Sequence, residues 1–120
     1  MQPFIDLLSQ PPASFAWSTS ADGQRTIGTA TGAIVDIWPS HVEVALLFPP
    51  DDPALAAHNG ALLLLIVTAL RPEWNGAGKW LSMQLRMSQG RATHEDTQYI
   101  GRATFRWSAA ESRVTVRLPR

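Results

Sequence analysis

The sequence predicts an α+β protein: an antiparallel sheet of about five strands, ordered β-β-β-α-α-β-β, with two consecutive helices packed on one face. Three observations carry this reading. Residues 61–70, Ala-Leu-Leu-Leu-Leu-Ile-Val-Thr-Ala-Leu, hold a single polar side-chain group, so they form a helix with no wet face. Residues 41–48 alternate, with Val42, Val44, Leu46 and Phe48 on one side. Two further alternating runs near the C-terminus, Ala103, Phe105, Trp107 and Val114, Val116, Leu118, make a hairpin around 108–111.

Taken in order, residues 1–12 read as an N-terminal arm, because Pro11-Pro12 stops any helical turn begun at Phe4. Residues 13–120 then form a single domain. Asp22-Gly23 is a favoured hairpin turn, which pairs 13–20 with one strand over 25–37 and sets Trp17 opposite Gly28. Trp38-Pro39-Ser40 turns the chain into the third strand, 41–48. The central helix starts at Asp52, whose carboxylate can cap it, with Pro53 at the first helical position, and ends before Arg71-Pro72.

Residues 74–89 fit both a strand and a helix pattern. Leu, Met, Gln, Lys and Arg without β-branched neighbours favour a second helix. Residues 89–96 read as a polar loop. Two helices of this kind would cover each other on one flank.

Composition removes whole classes of function. With no cysteine there is no disulfide, thiolate catalysis or cysteine-bound metal, and a reducing, cytoplasmic setting fits. The N-terminus has no basic leader, and only ten strongly apolar residues follow Gly60, so a core helix is expected and no membrane span. The zero net charge hides an asymmetry. Residues 1–70 carry one basic side chain, Arg25, against Asp6, Asp22, Asp36, Glu43, Asp51 and Asp52; residues 71–120 carry nine basic against four acidic ones. A split of this kind points to a partner.

The sharpest candidate site lies on the last hairpin. Pairing Phe105 with Val114 and Ala103 with Val116 would set Arg106 opposite Arg113 and Arg102 opposite Arg117. Four guanidiniums on one face call for something negative nearby, since like charges directly opposed are unfavourable. Arg102, Arg106, Arg113 and Arg117 are therefore the expected anion- or partner-binding residues.

Other constellations are weaker. His94-Glu95-Asp96 are adjacent residues that rarely converge on one ion, and Gly76-Ala77-Gly78-Lys79 is not a phosphate-binding Walker loop. Asp36, His58, Trp74 and Trp80 are the candidates for a ligand pocket at the sheet–helix junction. No catalytic residue, metal site or cofactor is expected. The function that follows is a non-enzymatic protein-interaction or structural module, a homo-oligomer and by preference a dimer, whose basic hairpin meets an acidic protein surface. Nucleic-acid binding through the arginines is the second reading, and a small-molecule binder or enzyme the third.

Overall fold

Asp52, Pro53 and Arg71 delimit the central helix as the sequence reading requires. In the computed structural model, which describes residues 1–120, helix α2 runs Pro53–Leu70. Asp52 accepts the Leu55 amide at 3.1 Å, satisfying a first-turn donor that the helix itself cannot reach. Leu62, Leu63, Ile66 and Val67 are buried, each such side chain contributing about 1.5–3 kcal/mol. By length and composition α2 could cross a membrane, yet this flank belongs to the protein core. Ala57, Ala61, Leu64 and Thr68 form the outward stripe.

The sheet is antiparallel throughout and has seven strands, not about five. They are β1 (Ala16–Thr19), β2 (Thr26–Ala30), β3 (Ala33–Ile37), β4 (His41–Leu47), β5 (Thr93–Gln98), β6 (Ala103–Ser108) and β7 (Arg113–Pro119). Their spatial order is β1-β2-β3-β4-β7-β6-β5. A four-stranded N-terminal meander thus joins a three-stranded C-terminal one through the β4–β7 pair. Val35, Val44, Leu46, Val114, Val116 and Phe105 share the buried face, and the alternate residues form an open one.

Two departures account for the extra strands. The expected single strand over 25–37 is folded in two at Thr31-Gly32, where Gly32 takes φ +67°, a conformation that a Cβ would disfavour. Asn59 of α2 holds that turn, donating from Nδ2 to the carbonyls of Gly32 (3.2 Å) and Leu47 (2.8 Å). The expected loop over 89–96 contains β5. Its residues, Thr-His-Glu-Asp-Thr-Gln, lack aliphatic side chains, a composition that suits an edge strand with polar groups on both faces.

Residues 1–12 are also more than an arm. They contain helix α1 (Gln2–Ser9), whose Phe4 and Leu8 sit in the core beside α2. The second helix is present as expected: α3 (Ala77–Ser88) turns Ala77, Trp80, Leu81, Gln84 and Ser88 inward, and Trp80 meets Phe105 edge-on at 6.3 Å. Trp17 pairs with Gly28 and lies across its bare backbone, as the Asp22-Gly23 turn predicts.

Candidate functional site

The arginine stack does not form. Strands β6 and β7 pair Phe105 with Val116 and Trp107 with Val114, two residues away from the expected register. The cause is the turn. It spans four residues, 109–112, closed by the Ser112 amide on the Ala109 carbonyl and by Ser112 at φ +49°. A shift of two keeps every side chain on its face but changes its neighbour. Arg106 now stands opposite Thr115, Arg117 opposite Thr104 and Arg113 opposite Ser108, while Arg102 lies outside the strands at φ +49°.

Acidic side chains fill the gaps. Glu95 of β5 flanks Arg106, with 3.3 Å between Nε and Oε2, and Glu43 of β4 is the cross-strand neighbour of Arg117. Arg113 reaches Glu111 at 3.2 Å. Further along the open face, Arg25 binds Asp36 with two hydrogen bonds, 2.8 and 2.6 Å, and lies over the Trp38 ring at 4.7 Å. Bonding to Asp36 raises the pKa of Arg25 above its usual value. The open face is a lattice of both charges, in which Asp36 and Glu43 also stand opposite each other on β3 and β4.

The four expected pocket residues are not brought together. Asp36 is engaged by Arg25 on the open face, and His58 is exposed on the outer side of α2. Trp74 and Trp80 are core residues with ring centroids 5.5 Å apart. Strand alternation likewise separates the 94–96 trio: Glu95 faces the open side, while His94 and Asp96 face α3. There the buried Gln84 donates to Asp96 at 2.9 Å and accepts from His94 Nε2 at 2.6 Å. The carboxylate fixes the amide orientation, so His94 carries its proton on Nε2. This network fastens α3 to the edge strand.

What the helices and sheet do create is a groove of about 630 Å³. The segment after β4 supplies Phe48, Pro49 and Pro50; the first turns of α2 supply Pro53, Ala56, Ala57 and Gly60. The end of α3 adds Leu85, Ser88 and Gln89, and the β6–β7 end adds Trp107, Ala109 and Ser112. Not one of these side chains is ionisable. Two of the polar atoms are already used, since Trp107 Nε1 donates to the Arg91 carbonyl (3.1 Å) and Ser88 Oγ to that of Gln84 (2.8 Å).

Gly60 keeps the groove open. A Cβ placed there would meet only Phe48 Cε1, at 3.9 Å, although glycine inside a helix costs about 1 kcal/mol relative to alanine. None of Asp36, His58, Trp74 and Trp80 lines this groove, and sequence reasoning assigned no site role to the residues that do, which come from three separate segments. The signal available was the cluster of small residues, Ala56-Ala57 and Gly60, just before the Leu62–Val67 run of large aliphatic residues. Comparison with protein-family models, with curated proteins and with solved structures returned no match.

Proposed function

We propose that this α+β protein is a non-enzymatic interaction module that receives an apolar group of a partner protein in the groove between α2, α3 and the β6–β7 end. The observation that carries the reading is the chemistry of the lining: apolar and aromatic, with no acid, base or nucleophile activated by a neighbour. Such a surface can desolvate a guest. It holds nothing that would transfer a proton or attack a bond.

The test uses the neutral apolar dye prodan. Its emission should rise and shift to the blue on binding the native chain, and Gly60→Leu, which fills the groove, should weaken that binding by at least ~10-fold, the effect of losing one good apolar anchor. Equal binding by both chains would sink the reading.

A small-molecule ligand is the second reading, favoured by the volume, which lies inside the range of about 300–1,000 Å³ typical of such sites. Thermal stabilisation across a metabolite panel separates the two, since a ligand at a hundred times its Kd adds about 2.7 kcal/mol. Nucleic acid draws less support than the sequence lends it. Its four arginines are interleaved with carboxylates on the open face or, for Arg102, stand apart from it.

A further inference from the structure

The turn between β5 and β6 is built as a plug. Tyr99 is 86% exposed and Ile100 82%, far beyond the other large apolar side chains of the molecule. The loop beneath them is held from three sides. Gly101 presses its backbone onto Trp74, so closely that a Cβ there would stand 2.2 Å from the ring. Arg71, only 8% exposed, donates to the carbonyls of Gly101 (2.8 Å), Leu70 (3.2 Å) and Pro119, and makes no ion pair. Gln98 takes the Ile100 amide at 2.9 Å. A buried guanidinium without a carboxylate is costly to place, and here it fixes a loop whose tip shows two apolar side chains to water.

The groove is the complementary feature. Phe48, Pro53, Ala57, Gly60, Leu85 and Trp107 form an apolar recess. The same 49–53 segment that lines it carries Asp51 and Asp52, both exposed, whereas the exposed Arg102 follows the tip. The basic flank of the tip thus has acidic counterparts on the α2 side of the recess, while the exposed Arg86 and Arg91 flank its α3 side and leave the α2 side as the one that Arg102 can meet. One chain cannot make this contact with itself. The tip precedes β6 and the groove lies at its other end, and six strand residues span about 20 Å.

We infer that Tyr99 and Ile100 of one copy seat in the groove of a second copy, with Arg102 beside Asp51. The inference rests on the proposed role of the groove and names its occupant. The contact is head-to-tail: each copy offers a different surface, so assembly continues past the dimer unless a ring closes. A two-residue plug buries less than the ~1,600 Å² of a standard interface, so the association is weak and rises with concentration.

Sedimentation equilibrium over a concentration series reads this directly. The native chain should increase in average mass with concentration. Tyr99→Ser with Ile100→Ser removes the plug, and Gly60→Leu fills the recess; each should weaken association by ~30-fold or more, the scale of a lost hot spot. Mixing the two variants supplies one working groove and one working tip, so a one-to-one heterodimer should form and grow no further. Ala57→Leu is a second way of filling the recess should Gly60→Leu fold poorly.

A native chain that stays monomeric at every concentration overturns the inference. So do plug variants that associate as well as the native chain, and a mixture that stays monomeric. If prodan binding is intact and blocked by Gly60→Leu while the native chain is monomeric, the self-contact falls and the groove reading stands. If Gly60→Leu leaves prodan binding unchanged, the groove reading itself falls.

Discussion

A Cβ added to Gly28 would lie 2.7 Å from Cζ3 of Trp17, so Gly28→Ala forces either the indole off the strand or β2 out of line. Overpacking of this kind costs about 1–3 kcal/mol, and urea unfolding of the variant should show a loss in that range. In a Trp17→Ala background the same change should cost far less, because the ring that it strikes is gone. Equal losses in the two backgrounds would mean that the ring is not the obstacle. This pair was legible in the sequence because Asp22-Gly23 fixes the count around its own turn. Arg71 was not legible. It is one of nine basic side chains after residue 70, and only folding brings it under the backbone carbonyls of Gly101 and Pro119. Burial lowers its pKa from the ordinary arginine value.

Among the elements, those with a strong local signal followed from sequence. α2 has a cap, a proline and a stop, which set its ends, and β4 and β7 alternate strictly, which sets their buried faces; the uniformly apolar stretch of α2 did not announce its outward stripe of Ala61, Leu64 and Thr68. β5 has no such pattern, being polar and half solvated, and its place at the edge is a fact of topology that its residues do not announce. The β1–β2 turn carries a titratable element. Asp22 accepts hydrogen bonds from Ser20 Oγ at 2.5 Å and the Gln24 amide at 3.0 Å, which lower its pKa. A carboxylate held below its unfolded value stabilises the fold above the unfolded pKa of about 3.9, and the benefit disappears as pH falls through the lower folded value. Asp22→Asn should therefore melt below the native chain at pH ~7, with a difference that narrows as the pH is lowered toward ~2. A melting difference that is the same at both ends would remove Asp22 ionisation as its cause.

At the scale of the molecule, the charge split between the halves was visible in the sequence and its arrangement was not. The expected stack of arginines depended on a turn over 108–111, with Ser108 opposite Glu111. The turn that is present, over 109–112, slides β7 along β6 by one pleat repeat and sets Thr115 and Thr104 opposite Arg106 and Arg117, while Glu95 and Glu43 flank those arginines from β5 and β4. Register is a property of the loop, and loop length is the least certain quantity in a hairpin read from sequence. The consequence is measurable on a polyanion. Arginines gathered on one bare face would release several counterions and hold the protein on heparin to high salt, whereas arginines alternating with carboxylates present little net field beyond the ~8 Å screening length at physiological ionic strength. Elution from heparin below ~0.2 M salt is expected, with little change on Arg106→Ala or Arg117→Ala. By contrast, Glu43→Gln with Glu95→Gln should strip the lattice of its acids and raise the elution salt markedly. Retention of the native chain past ~0.5 M, lost on Arg106→Ala with Arg117→Ala, would show that the carboxylates fail to neutralise the face and would move nucleic acid from second reading to first.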